Sequence, residues 1–256
     1  MDELADGRTP VHRFSALSKL IVTVVFLLTA LSFGRYDLTG VLAMAVYPYL
    51  VFALSGLTFR MCLRKMKYIL PLLLFVGVFD PLLNKDTWFM IGTVPVSRGW
   101  LSFAVLIVKA LLTVSALFLL MGTTKIDAVC GALRKLRVPS VIVTLILLTY
   151  RYLTVMTEEV AVMTNAYHLR APRQKGIAFA AWGSFLGQLI LRSMDRAQEL
   201  YASMLLRGYT GEFPEEQQKA DPKSILWALM WLTMFAVFRF VPVIRVIGAL
   251  FTGGKL

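Results

Sequence analysis

Residues Trp100–Gly122 have the sequence WLSFAVLIVKALLTVSALFLLMG, in which Lys109 is the single charged residue. This stretch is long enough to cross the hydrocarbon core of a bilayer, which requires about 20 apolar residues in a helix. The whole chain has the same character, because 58% of its 256 residues are hydrophobic, 16% are charged, and its mean hydropathy is +0.70. Soluble domains cannot bury that much apolar surface. The sequence therefore predicts an all-α, polytopic membrane protein.

Further apolar segments are predicted to enter the membrane, which gives about five transmembrane helices in all. They are Leu17–Phe33, Leu38–Phe59, Tyr68–Leu83 and Ile225–Leu250. Pro48 predicts a kink in the second of these helices. The third is short and contains Pro71 and Asp80, so it either crosses at a tilt or enters without crossing. Arg239 and Arg245 interrupt the last segment, so the sequence does not define its outer boundary.

The distribution of basic residues predicts the topology. The net charge is +12. One side of the predicted membrane holds Arg8, Arg13, Lys19, Arg60, Arg64, Lys65, Lys67, Lys125, Arg134, Lys135 and Arg137, and the other holds Arg35, Lys85 and Arg98. Because cytoplasmic loops are enriched in Lys and Arg, the N-terminus is expected in the cytoplasm of a cell-membrane protein. Nucleic-acid binding would need one continuous basic face, which these separate clusters do not provide. Without a cleavage site after Leu31, the first segment is expected to remain as an anchor.

Two long helices are predicted between residues 138 and 208. The apolar runs Ser140–Thr149 and Ile177–Leu191 each lead without a turn signal into charged helical sequence, so each helix is expected partly in the membrane and partly in water. Pro139 suits the first turn of one helix. The segment 171–176, which contains a proline, a glycine and two basic residues, separates that helix from the next. The expected organisation is membrane helices in 1–122, a cytoplasmic helical region in 123–208, and a linker with a C-terminal membrane helix in 209–256.

The second long helix has an apolar stripe, with residues at spacings of three or four. Its members are Trp182, Leu186, Leu189, Ala197, Leu200 and Met204, with Ser193 in the gap. This pattern predicts packing along the whole helix. Gly183 and Gly187 have the G-x-x-x-G spacing, which indicates either close approach of another backbone or ordinary glycine use in a membrane helix.

The sequence lacks the motifs of an ATPase or a metalloenzyme. Residues Gly248–Leu256 contain glycines and a lysine without the Gly-Lys-Ser/Thr order that holds phosphate. His12 and His168 are solitary, so no metal site and no cofactor are predicted. Cys62 and Cys130 are far apart and are expected to be free packing thiols. The chain is therefore predicted not to be an enzyme.

Two ionisable residues, Asp80 and Lys109, lie within predicted membrane segments. Such residues usually face a cavity or a partner, because an unpaired charge in lipid costs several kcal/mol. The favoured interpretation is that they pair inside the bundle, with Asp80 near the outer interface. The alternative is a relay or a substrate site.

The two long helices end alike. Leu169-Arg170-Ala171 closes the first, and Leu206-Arg207-Gly208 closes the second. Either ending alone is explained by helix termination, because a cation offsets the helix dipole and Gly208 suits a C-terminal cap. Together they favour a two-pronged surface, since a small residue after each arginine leaves the guanidinium free to bind carboxylates bidentately. The predicted occupant of this surface is a protein partner.

These endings belong to a wider resemblance. With Leu133-Arg134-Lys135-Leu136-Arg137-Val138-Pro139, Leu148-Thr149-Tyr150-Arg151-Tyr152-Leu153 and Glu158-Glu159, they resemble the T component of energy-coupling-factor transporters. The cobalt and nickel branch, the CbiQ type, is the most similar. The resemblance covers most of the chain and is strongest over Ala110–Tyr209, whereas the first 100 residues match mainly in hydropathy.

The resemblance implies an L-shaped T component with about five transmembrane helices and two long cytoplasmic coupling helices. In that family the T component joins a substrate-binding membrane subunit to two cytoplasmic ATP-binding subunits, identical or different, and X-Arg-X motifs insert into grooves on those subunits. Here the implied ATPase-coupling residues are Leu169, Arg170, Ala171, Leu206, Arg207 and Gly208. The membrane partner is a CbiM/CbiN-like S component if the substrate is cobalt. Many relatives have Ala-Arg-Gly in both places, so the leucines and Ala171 bear on the depth of docking.

Several alternatives stay open from the sequence. The chain could be the T component of a vitamin transporter of the same class, since specificity resides mainly in the substrate-binding subunit. A conventional ABC permease is less favoured, because its E-A-A and distal glycine pattern is absent. A polytopic membrane enzyme would need a nucleophile with a base, and Ser184 has no suitable histidine near it in sequence. A membrane scaffold without transport activity is the remaining alternative.

Overall fold

The computed structural model describes residues 9–56, 59–79, 87–91, 94–172, 174, 176–211 and 221–240. The helices are α1 (Pro10–Arg13), α2 (Ala16–Ser32), α3 (Leu38–Ala43), α4 (Val46–Ser55), α5 (Phe59–Gly77), α6 (Arg98–Thr123), α7 (Ile126–Lys135), α8 (Ser140–Arg170), α9 (Trp182–Leu206) and α10 (Pro222–Phe240). A 3₁₀ turn, Phe179–Ala181, precedes α9. The predicted all-α, polytopic membrane fold is confirmed, with one short β-hairpin in addition.

Four helical segments in the described chain are long and apolar enough to cross a membrane. They are Leu38–Ser55, Gly99–Thr123, Ser140–Arg170 and Pro222–Phe240. Ala16–Ser32 and Met66–Phe75 are shorter apolar helices. Each apolar segment predicted from the sequence contains or overlaps one of these helices. Ser140–Arg170 is the addition, because this helix contains an apolar stretch of 18 residues, longer than the run Ser140–Thr149 identified in the sequence.

The chain divides into two compact units. The first consists of Met1–Ala132 with Gln218–Leu256, and the second of Leu133–Gln217. The division falls within the last turns of α7, and α10 returns to the first unit although it is the last helix in sequence. The three-part organisation expected from the sequence stays a prediction.

An aromatic cluster in the first unit explains why α10 belongs there. Tyr47 of α4 lies 4.8 Å from Phe26 of α2 and 4.8 Å from Trp231 of α10, measured between ring centroids. Phe235 of α10 lies 5.3 Å from Tyr47 in an edge-on arrangement. All four side chains are almost completely buried. Aromatic pairs in this geometry stabilise packing beyond the area they bury, so the cluster joins three helices distant in sequence.

Pro48 acts as the sequence predicts, but its effect falls one turn earlier. The expected single helix Leu38–Phe59 is two helices, α3 and α4, with the break at Met44 and Ala45. Pro48 has no N–H to donate to the carbonyl of Met44, and its ring crowds that carbonyl. The carbonyl instead accepts a 3.3 Å hydrogen bond from the N–H of Tyr47. The helix then ends at Ser55, because Gly56 adopts a left-handed conformation with φ +66°.

The third apolar segment and the loop after it also differ from expectation. α5 begins at Phe59 rather than Tyr68, so the basic residues that follow α4 lie in its first turns. Residues 80–86, which include Asp80, lie outside the described residues. The expected loop Asn84–Gly99 contains an antiparallel hairpin of β1 (Thr87–Ile91) and β2 (Val94–Ser97). Its β-branched and aromatic residues have strand propensity, but runs of this length are ambiguous in a sequence.

Candidate functional site

The predicted site residues lie at the C-terminal ends of α8 and α9 in the second unit. Arg170 is the last residue of α8, and Arg207 directly follows α9. Both arginines are exposed. The leucines before them are more exposed than almost any other large apolar side chain described, at 84% for Leu169 and 90% for Leu206. A leucine that is this exposed does not stabilise its own helix by burial, so both ends are available to a partner.

The first end is held in place by Tyr167. The N–H of Ala171 donates to the carbonyl of Tyr167 at 3.0 Å and closes the last turn of α8. The hydroxyl of Tyr167 donates to Oε1 of Gln174 and accepts from the N–H of Ala178 at 3.2 Å. Tyr167 thus fixes the connecting segment against the helix end. Arg170 lies on the exposed side of that end.

The second end is a Schellman cap. Gly208 has φ +79° and donates its N–H to the carbonyl of Leu205 at 3.0 Å. The N–H of Tyr209 donates to the carbonyl of Met204, also at 3.0 Å. Glycine is favoured at this position because only glycine adopts a positive φ without strain. Helix termination therefore explains Gly208, but it does not explain the exposed Leu-Arg pair before it.

Tyr152 of α8 lines a recess together with residues 196–207. Further along α8, Glu159 forms an ion pair with Arg192, which lies earlier in α9, so the two helices run in opposite directions. At 1.5 Å per residue, Arg170 lies about 16 Å beyond this contact in one direction and Arg207 about 22 Å beyond it in the other. The arginines are therefore up to roughly 40 Å apart along the pair. The two-pronged surface stays a prediction, with its two arginines at separate ends of the pair.

The apolar stripe of α9 is only partly covered. Leu189, Leu200 and Met204 are half-buried, but Trp182 and Leu186 are exposed, and within the described chain α9 has no fully buried residue. A Cβ added at Gly183 or Gly187, the glycines of the G-x-x-x-G spacing, would meet no described atom within 4 Å. The prediction of packing along the whole helix is thus not fulfilled by described residues of this chain.

A small recess beside Arg207 was not predicted from the sequence. Its volume is about 250 Å³. It is lined by Tyr152 of α8, by Arg196, Glu199, Leu200, Ser203 and Met204 of α9, and by Arg207 just after α9. The polar residues on α9 recur at spacings of three and four, a signal that the sequence offers. Tyr152 joins them only through the antiparallel packing, which the sequence does not contain.

Lys109 binds a backbone carbonyl at the end of α2, and its predicted pairing with Asp80 stays a prediction. Its Nζ donates to the carbonyl of Phe33, just after α2, at 2.6 Å. Arg239 donates to the neighbouring carbonyl of Ser32 at 3.5 Å and lies 5.3 Å from the ring centroid of Phe33. Cations offset the partial negative charge at a helix C-terminus, so both residues stabilise the end of α2. The expected partner, Asp80, lies outside the described residues.

The cysteines are free, buried thiols, as predicted. Burial raises the pKa of the Cys130 thiol, and Asp127 raises it further, so this thiol stays protonated and unreactive. No group of three His, Cys, Asp or Glu side chains suited to a metal occurs among the described residues.

Comparisons with known proteins agree on one family. A family model described as cobalt transport protein, CbiQ, matches residues 7–220. The cobalt transport protein CbiQ of Rhodobacter capsulatus is 32% identical over 125 residues, which cover 48% of this chain and 50% of that protein. A putative fused cobalt transport protein CbiMQ of Methanocorpusculum labreanum is 26% identical over 140 residues, covering 51% of this chain and 22% of that protein. An uncharacterized protein of Methanocaldococcus jannaschii is 23% identical over 235 residues, which cover 86% of this chain and 80% of that protein.

The two relatives named as cobalt transport proteins each match about half of this chain, whereas the family model matches residues 7–220. The helices long enough to cross a membrane agree with a transport function. The chain therefore belongs to the CbiQ family of cobalt transport proteins.

Proposed function

We propose that this chain is the transmembrane coupling subunit of an energy-coupling-factor importer for cobalt or nickel. It would pass the motion of two cytoplasmic ATP-binding subunits to a substrate-binding membrane subunit. The observation that carries the proposal is the exposure of Arg170 and Arg207 at opposite ends of an antiparallel helix pair. Ends up to roughly 40 Å apart do not share one groove, but each can enter a groove on its own ATP-binding subunit.

Both arginines are assigned to the cytoplasmic side. α8 is apolar enough to cross a membrane, which would put the two arginines on opposite faces. However, its partner α9 carries Arg192, Asp195, Arg196 and Glu199 in its central turns. Charges at the centre of a bilayer cost several kcal/mol each, so α9 is not expected to cross. Because α8 contacts α9 through the ion pair of Glu159 with Arg192, we propose that both helices lie at the cytoplasmic surface.

Long continuous helices suit the transfer of motion. α8 has 31 residues without an internal glycine or proline, which gives a length of about 46 Å. α9 has 25 residues, or about 37 Å. ATP-driven closure of the two ATP-binding subunits would move the arginine ends. The helices would then turn about the contact between Glu159 and Arg192 and change the surface offered to the substrate-binding subunit.

The relatives also support a proposal for the membrane partner. The names of the relatives assign cobalt transport to them, and the fused CbiMQ relative supports a CbiM-like, or CbiM/CbiN-like, S component as the partner of this chain. In that arrangement the S component binds the metal ion and the ATP-binding subunits hydrolyse ATP. The chain itself would sit in the cell membrane, contribute no catalytic residue and carry no cofactor.

The double substitution Arg170→Ala with Arg207→Ala tests the proposal. The variant is co-expressed with the ATP-binding and S subunits from the same genome, and ATPase co-purification and uptake of radioactive cobalt are measured. Both are expected to fall to background. The matched control is Arg60→Ala with Arg64→Ala, which removes two exposed arginines of the first unit. Undiminished co-purification and uptake in the Arg170/Arg207 variant would show that the coupling assignment is wrong.

A further inference from the structure

The recess beside Arg207 offers more than one arginine to a partner. Arg196 and Arg207 both line it, together with the hydroxyl-bearing Tyr152. Among the described residues, neither guanidinium nor the Tyr152 hydroxyl takes part in a hydrogen bond or an ion pair, whereas Arg192, one turn away, is paired with Glu159. The recess thus contains unpaired donors that converge on one small volume.

The chemistry of the lining selects an anion of small size. Two guanidiniums face a single carboxylate, that of Glu199, so the recess is net positive. Its volume of about 250 Å³ is below the roughly 300 Å³ at which sites for drug-sized ligands begin. Leu200 and Met204 are half-buried and give it an apolar floor. A side chain with methylenes below a carboxylate fits this combination, and guanidiniums bind carboxylates bidentately.

We propose that this recess receives an acidic side chain of the ATP-binding subunit on which Arg207 docks. The inference rests on the proposed function and adds Arg196 and Tyr152 to the docking surface. A partner carboxylate is favoured over a free phosphate group, because the methylenes of an acidic side chain can cover Leu200 and Met204, which a phosphate would leave in contact with water. The second end therefore forms reciprocal contacts with its partner. Arg207 enters a groove on the partner, and an acidic residue of the partner enters the recess.

Zero-length crosslinking with a carbodiimide tests the occupant directly. The variant Arg196→Lys with Glu199→Gln places an amine in the recess and removes the carboxylate of this chain that would compete for it. In the complex with the co-expressed ATP-binding subunits, the carbodiimide is expected to join this amine to an Asp or Glu of one ATP-binding subunit, identified by mass spectrometry. The matched control, Arg192→Lys, faces Glu159 and is expected to give only an internal crosslink. An intact complex without a crosslink from position 196 would overturn the inference.

Retention of the ATP-binding subunits separates this inference from the proposed function. Arg196→Ala is expected to reduce retention about tenfold, as for loss of a hydrogen bond to a charged group. Loss of retention in Arg207→Ala with no change in Arg196→Ala would overturn the recess and leave the coupling function standing. No change in either variant would overturn both. A defect in Arg196→Ala that appears only with anionic phosphatidylglycerol in the detergent would assign the recess to a lipid headgroup and contradict the inference.

Discussion

The two units of the molecule differ in how much of each is buried. In the first unit, helices from both ends of the chain enclose a core that includes Phe26, Tyr47, Trp231 and Phe235. In the second unit, the described part of α8 buries only Val143, and α9 has no fully buried residue. The first unit is stabilised by its own contacts. The second exposes long apolar and charged faces, as expected of a surface whose partners are other subunits.

The largest effect is expected from a Phe→Ala substitution, made once in each unit. Phe235 is completely buried, and Phe179 is 95% exposed. Phe235→Ala is expected to destabilise the purified chain by about 3–5 kcal/mol, because it leaves a cavity among aromatic side chains. Phe179→Ala is expected to leave thermal unfolding in detergent unchanged. A similar loss of stability in both variants would remove the distinction between the units.

The next effect concerns the chemistry of the arginine ends. Arg170→Lys and Arg207→Lys keep the charge but lose the planar, bidentate guanidinium. Each is therefore expected to weaken retention of the ATP-binding subunits by this chain about tenfold. Unfolding temperatures should stay at the wild-type value, because both side chains are exposed. Retention equal to wild type in both lysine variants would mean that charge alone, rather than bidentate binding, is recognised.

A smaller effect is expected from the cap of the second end. Gly208→Ala places a side chain at φ +79° and is expected to cost about 1 kcal/mol in local stability, which disorders the end of α9. ATPase retention should fall by a few fold. Gly183→Ala is the control, since that glycine lies inside α9 and a Cβ there meets no described atom within 4 Å. Equal retention by the two alanine variants would show that the cap does not position Arg207.

The smallest effect is expected at the contact between the long helices. Glu159→Gln removes an exposed ion pair with Arg192, and such pairs contribute about 0–1 kcal/mol. The unfolding temperature and ATPase retention should therefore change little. If the helices turn about this contact, the rate of cobalt uptake should fall more than retention does. An uptake rate that only follows retention would argue against a pivot at this position.

The sequence predicts much of this structure because lipid imposes simple rules on it. Apolar length identifies the helices, and the break near Pro48 follows from its missing N–H. The ends of α8 and α9 are also visible in the sequence, since Arg170 and Arg207 are each followed by a small residue. These features depend on residues that are neighbours along the chain.

Other features depend on contacts between distant residues. The aromatic cluster joins Phe26 to Phe235, and Lys109 binds the carbonyl of Phe33. The recess requires Tyr152 to lie beside Arg207, which follows from the antiparallel pairing of α8 and α9. Neither hydrophobic periodicity nor motif spacing contains this information, so the sequence indicated the arginines but not their separation or surroundings.

The location and contacts of the two arginine ends are tested most directly by chemical labelling. Leu169→Cys and Leu206→Cys place reactive thiols beside the arginines, and the unsubstituted chain is a suitable control because Cys62 and Cys130 are buried. A membrane-impermeant maleimide is expected to modify both new cysteines in inside-out vesicles only, and bound ATP-binding subunits are expected to protect both. Modification of the two positions from opposite sides of the membrane, or equal modification with and without the ATP-binding subunits, would contradict the proposed coupling role.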